Sequence, residues 1–175
     1  MPTNDDKTIN VWLVEDSAMF ATSVRRVVNG LDGMTCGGLF TSVETAFAAL
    51  HKSAPPDVIL LDVQLPGMDG IAALATFREL APEAQVVILT VFDDPDKIFR
   101  AVCVGASGYI LKSSGIDQIG QAIQQVVAGG APMTPEVAQR VLDTLRKRRR
   151  AKRAATTTNS ARAKSKSCVC SPTAC

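Results

Sequence analysis

Histidine is nearly absent from this 175-residue chain, which also has one tryptophan and one tyrosine and is only 5% aromatic. The lone His51 sits among solvent-facing residues of an expected helix, so no phosphodonor histidine stands in a recognisable context. No GxxxxGK[ST] loop is present to cradle the phosphates of a nucleotide. No apolar run reaches the roughly 18 residues of a membrane span. The opening MPTNDDKTIN lacks the basic-then-apolar order of a signal peptide. A cytoplasmic protein without a membrane partner is therefore expected. The five cysteines are few and odd in number, which argues against a disulfide framework. Cys36 and Cys103 lie in apolar surroundings and read as small packing residues. The terminal CVCSPTAC, with Cys168, Cys170 and Cys175, offers three sulfurs and no histidine, a poor match to a metal site. Acid is missing from the last stretch: residues 146–175 hold ten Lys/Arg and no Asp/Glu, whereas residues 1–145 hold nine against seventeen. The formal +2 of the whole describes neither part.

What is present suits a folded domain with an appendage, since 46% of residues are hydrophobic and 21% charged. Short apolar runs at Val11 to Val14, Met34 to Phe40, Val58 to Leu61, Val86 to Leu89 and Tyr109 to Leu111 have strand length. Between and after them, Ser17 to Asn29, Ser42 to His51, Asp69 to Leu80, Pro95 to Val104 and Gly115 to Ala128 repeat apolar residues at three and four, the helical period. Strand and helix alternating five times predicts an α/β fold, a parallel sheet covered on both faces, over residues 9–128. Residues 129–145 read as a break and a linker helix that Thr134 can cap and Pro135 can open, with Val137, Val141 and Leu145 as an apolar stripe. From Arg146 the composition turns small and basic, and residues 146–175 read as a disordered tail.

In a doubly wound sheet, function gathers beyond the carboxyl ends of the strands. Those ends carry Glu15 and Asp16 after the first strand, Asp62 after the third, Thr90 after the fourth and Lys112 after the fifth. Three converging carboxylates repel one another unless a cation offsets them. Mg²⁺ answers that need, since it takes carboxylate oxygens together with waters and a phosphate. Lys112 adds a compact positive charge and Thr90 a hydroxyl donor, parts that suit phosphoryl transfer. Each residue alone has an ordinary reading: Asp16 as a helix cap, Asp62 as a strand end, Lys112 as a solvated surface group, Tyr109 as core. Their joint placement favours a site.

The segments LVEDSAMF, VILLDVQLPGMDGIAAL, VVILTVFDD and AVCVGASGYILKSS resemble the acidic pair, phosphoacceptor loop, Thr strand and Lys strand of response-regulator receiver domains. Within that family the chain is most similar to the NarL/LuxR type. The resemblance implies a CheY-like, flavodoxin-like sheet of order 2-1-3-4-5. It implies that Asp62 accepts a phosphoryl group from the phosphohistidine of a sensor histidine kinase. Asp16, Asp62 and the backbone carbonyl of Gln64 would bind Mg²⁺, with Glu15 acting directly or through a water. Lys112 would pair with the phosphoryl oxygens and Thr90 would hydrogen-bond to one of them. Tyr109 would turn inward as Thr90 moves, switching a face built from the fourth helix and fifth strand. The domain so described is a phosphoacceptor and not an enzyme beyond its own labelling and slow dephosphorylation.

NarL/LuxR regulators continue into a helix-turn-helix, but the 30 residues after Leu145 lack the apolar pattern such a module needs. Two readings stand, a receiver with a short tail or a truncated or frame-altered transcription regulator. The cations Arg146, Lys147, Arg148, Arg149, Arg150, Lys152 and Arg153 can attract nucleic acid without reading its sequence, because no aromatic is interleaved to stack on bases. A nucleic-acid-associating protein is thus the alternative function. A homodimer through the stripe is a further expectation. An aspartyl phosphatase of the haloacid-dehalogenase type is disfavoured, since it needs a second acid where this chain has Gln64.

Overall fold

Val58-Ile59-Leu60-Leu61 is apolar at every position because the strand it forms is covered on both faces, and all four residues are buried. In the computed structural model, which describes residues 8–65, 67–68, 70–91 and 94–164 and side chains up to residue 150, it is the middle strand of five. The strands are β1 (Ile9–Val14), β2 (Met34–Phe40), β3 (Val58–Leu61), β4 (Gln85–Thr90) and β5 (Gly108–Leu111). All pairs are parallel, in the expected order β2-β1-β3-β4-β5. Helices α1 (Ala18–Asn29), α2 (Val43–Leu50), α3 (Gly70–Leu80), α4 (Pro95–Val104) and α5 (Ile116–Val127) make the crossovers and the return, and α6 (Pro135–Lys164) follows.

Alternation along the strands divides the core in two. Trp12, Val14, Ile59, Leu61, Ile88 and Tyr109 face α2, α3 and α4, where Phe77 is fully buried. Val11, Leu13, Leu60, Leu89 and Ile110 face α1 and α5, against Val24, Val28 and Ile123. Each fully buried aliphatic or aromatic side chain contributes about 1.5–3 kcal/mol. Ser17, Ser42 and Asp94 cap α1, α2 and α4 through their side-chain oxygens. Register slips by one residue between β1 and β2 at Gly37, where an added Cβ would lie 2.1 Å from Asn10 Oδ1.

The chain beyond α5 returns to the sheet. Tyr109 N–H donates to Pro132 O at 2.9 Å, and Tyr109 bridges Met133 in parallel, so residues 132–133 run along the outer edge of β5. From there α6 packs on α4 and β5 with Val137 fully buried and Val141 against the same core. Two expectations change here. Thr134 does not cap α6 with its hydroxyl: Oγ1 is buried without a partner among the described residues, and the backbone carbonyl instead accepts from Ala138 N–H at 3.0 Å. The apolar stripe is also split, because Thr144 turns inward while Leu142 and Leu145 stay exposed.

The composition change at Arg146 does not end the helix. α6 continues to Lys164, since residues 146–164 contain neither glycine nor proline and are rich in Arg, Lys and Ala, all good helix formers. Residues 165–175, with the three terminal cysteines, lie outside the described residues. Among the described residues no helix is long and apolar enough to cross a membrane.

Candidate functional site

The strand ends bring the expected residues together. β1 terminates as Glu15 N–H donates to Phe40 O at 2.8 Å, and β3 as Asp62 N–H donates to Val14 O at 3.0 Å, which sets the two acids side by side. Glu15, Asp16 and Asp62 each present a carboxylate oxygen within 4.8 Å of the others. Glu15 and Asp62 are buried and Asp16 is exposed. Lys112, opening the turn after β5, places Nζ 2.5 Å from Glu15 Oε2 and 2.7 Å from Asp62 Oδ2. Gln64 N–H donates to Asp62 Oδ1 at 3.1 Å and fixes the loop after β3. Gly70, at the start of α3, is needed there because a Cβ would lie 2.2 Å from the carbonyl oxygen of Asp62.

Three carboxylates and one ammonium leave a formal charge of −2 in a largely enclosed place. Burial pushes the Glu15 carboxyl above its ordinary value, and the hydrogen bond and charge of Lys112 only partly oppose that. Burial alone would lower Lys112, yet its hydrogen bonds to Asp62 and Glu15 outweigh this and hold it above the usual lysine value. Lys112 therefore stays an ammonium at neutral pH. The remaining charge and the all-oxygen donor set are compatible with a hard divalent cation.

Thr90 and Tyr109 lie deeper. Both are fully buried, and β4 and β5 pair Ile88 with Tyr109 and Thr90 with Leu111, so alternation puts the two side chains on the α4 face of the sheet. The basic run is elsewhere. Arg146 to Arg150 are exposed on α6, with Arg146 held by Asp143 at 3.2 Å and the Arg148 guanidinium 4.1 Å from the ring centre of Phe99 in α4. The side chains of Lys152 and Arg153 lie outside the described residues.

Sequence reasoning gave neither Ser17, at the start of the first helix, nor Phe20 a part in the site. Ser17 N–H donates to Glu15 Oε1 at 3.2 Å while its Oγ accepts from Phe20 N–H, and the Phe20 ring lies 4.8 Å from Lys112 Nζ. The signal was an Asp-Ser helix start followed three residues later by an aromatic. It also corrects the ordinary reading of Asp16, since Ser17 and not Asp16 caps α1.

The model of the response regulator receiver domain family matches residues 11–124. Response regulator GacA of Pseudomonas aeruginosa is 32% identical over 133 residues, covering 76% of this chain and 62% of GacA. The uncharacterized transcriptional regulatory protein YxjL of Bacillus subtilis is 34% identical over 139 residues, covering 79% and 63%. The chain thus spans about three fifths of the length of these curated relatives. Among solved structures, a LuxR-family two-component response regulator from Aurantimonas sp. SI85-9A1 superposes with a TM-score of 0.73 at 28% identity, covering 78% of this chain and 97% of that one. The isolated receiver domain of RcsB from Salmonella enterica serovar Typhimurium, with a phosphomimetic, gives 0.71 at 18%, covering 76% and 98%, a likeness of fold. With the sheet order, the acidic cluster at its carboxyl edge and the family match in agreement, the chain belongs to the response-regulator receiver family of two-component systems.

Proposed function

We propose that this chain works in the cytoplasm, that Asp62 is its phosphoacceptor and that a phosphohistidine of a sensor histidine kinase is the donor. An Asp62 carboxylate oxygen attacks phosphorus in line, an acyl phosphate forms, the N–P bond breaks, and the imidazole leaves with the electron pair. The observation that carries this reading is the Lys112 ammonium, held 2.7 Å from Asp62 Oδ2 where the transferred oxygens would arrive. Asp16, Asp62 and the Gln64 carbonyl would hold Mg²⁺, with Glu15 directly or through a water, and the bound ion would neutralise charge on the phosphoryl oxygens. Thr90 would donate its hydroxyl to a phosphoryl oxygen.

A phosphoryl group adds a charge near −2 and strong acceptors. Thr90 and Lys112 move toward it, and Tyr109 follows on the same face of the sheet. Since α6 rests on that face, repacking of α4 and β5 reaches the C-terminal helix. Slow self-dephosphorylation returns the domain to its starting state. Acetyl phosphate with Mg²⁺ is expected to add one phosphoryl group to the full chain, and Asp62→Asn to remove it; equal labelling of the variant refutes the assignment.

Two proposals on partners go with this. The exposed Leu142 and Leu145 of α6 support a homodimer, which sizing before and after phosphorylation tests. The exposed Lys147, Arg149 and Arg150 support contact with nucleic-acid phosphates through charge alone, together with Arg146, Arg148, Lys152 and Arg153. Binding that does not weaken steeply with salt contradicts that.

A further inference from the structure

We propose that Phe20 is a positioning residue for the phosphoryl chemistry, holding the Lys112 ammonium against its ring face by a cation–π contact. The inference rests on the reading of Asp62 as the phosphoacceptor. Lys112 has a flexible four-carbon stem and a strongly hydrated ammonium, so a neighbour that directs it matters once the Asp62 carboxylate no longer holds it. Its ammonium here is bounded on three sides, by Glu15 Oε2, by Asp62 Oδ2 and by the Phe20 ring with its centre 4.8 Å away. That separation is within the roughly 6 Å over which a ring quadrupole attracts a cation.

The ring is itself fixed. Ser17 caps α1, its Oγ accepts the Phe20 N–H, and its own N–H donates to Glu15 Oε1, so the first turn of α1, the acid and the ring form one unit. Phe20 is half-buried and packs against the core cluster on the α1–α5 face, which limits its rotation. Glu15 and Phe20 are also the two neighbours of Lys112 that phosphorylation leaves unaltered. As the Asp62 oxygen bonds to phosphorus, the ammonium must turn from that carboxylate to the phosphoryl oxygens. Phe20 then keeps it beside the reacting group instead of in solvent.

The test compares the full chain with Phe20→Leu and Phe20→Tyr, using acetyl phosphate and Mg²⁺ and reading the rate of labelling at saturating and subsaturating donor. Leucine keeps apolar bulk against the α1 core and removes the ring face; tyrosine keeps the face. Mg²⁺ affinity of each protein is followed by the fluorescence of Trp12, the one tryptophan, and folding by thermal midpoint. Phe20→Leu is expected to slow labelling by roughly three- to thirtyfold, the span that a partly desolvated cation–π contact supplies. Phe20→Tyr is expected to restore the rate, with Mg²⁺ affinity unchanged in both. Equal rates for wild type and Phe20→Leu overturn the proposal. So does a Phe20→Tyr as slow as leucine, or a loss of Mg²⁺ affinity that accounts for the slowing. A wild-type chain that takes no phosphoryl group is a different result, because it removes the acceptor reading itself and this inference with it.

Discussion

Replacing Lys112 by methionine keeps a long apolar stem and removes the only cation in contact with Glu15 and Asp62 among the described residues. Both acids are nearly buried, and the lysine side chain is 13% exposed, so solvent screens the loss weakly. At an effective dielectric of about 20, each contact is worth on the order of 6 kcal/mol before desolvation is counted. Stripping one partner from a buried ion pair costs about 3–5 kcal/mol in practice, and that is the loss expected near neutral pH. The pH dependence has a definite sign. Glu15 already sits above its ordinary value through burial, and Lys112 pulls it down, so the variant raises it further. A carboxyl raised in the folded state favours its protonated form. Its contribution is present below the unfolded value and is lost as pH rises through the folded one. The cost of Lys112→Met should therefore shrink as pH falls from neutral toward the ordinary Glu range, where Glu15 takes up a proton. Added Mg²⁺ should also recover part of it. Urea unfolding at several pH values, with and without Mg²⁺, reads all three. A loss below about 1 kcal/mol near neutral pH, the scale of an exposed pair, or one that grows on acidification, refutes the reasoning.

Four further outcomes follow from the same geometry. Asp62→Asn, which relieves repulsion within the acidic cluster, should make the metal-free protein at least as stable as wild type, while Mg²⁺ raises its thermal midpoint less than that of wild type. Mg²⁺ binding, followed by Trp12 fluorescence, should begin to weaken above the ordinary glutamate range as pH falls, because burial raises Glu15; weakening confined below that range contradicts it. Gly70→Ala forces a methyl onto the Asp62 carbonyl and should cost about 1–3 kcal/mol in urea unfolding while slowing labelling. Thr134→Val replaces a buried hydroxyl that has no partner among the described residues and should be neutral or stabilising in the same assay, and a loss above about 1 kcal/mol would point to a hydrogen bond there.

The sheet was legible because its central strands are apolar at every position, so their runs mark both length and burial; β3 occupies the four residues its apolar run suggests. The acidic cluster was legible because parallel strands put their carboxyl ends at one edge, and Glu15, Asp16, Asp62 and Lys112 all fall there. Pairwise detail was not. The Phe20–Lys112 contact depends on how far the first turn of α1 leans over the sheet, which periodicity does not encode. The edge pairing of Pro132 with Tyr109 is a long-range backbone bond from a segment that reads as a simple break. α6 itself runs past the composition change at Arg146, to Lys164. A scarcity of large apolar residues argues against packing, whereas helix propagation needs only residues that permit it, and Arg, Lys and Ala do.

Reduction of the labelled protein with borohydride tests the central claim most directly. Hydride cleaves an acyl phosphate and leaves homoserine where the modified aspartate stood. After incubation with acetyl phosphate and Mg²⁺, peptide mass spectrometry should find homoserine at position 62, in the tryptic peptide from Ser53 to Arg78, with Glu15 and Asp16 unchanged. Conversion of another acid in place of Asp62, or of none in a folded, Mg²⁺-bound protein, would contradict the account.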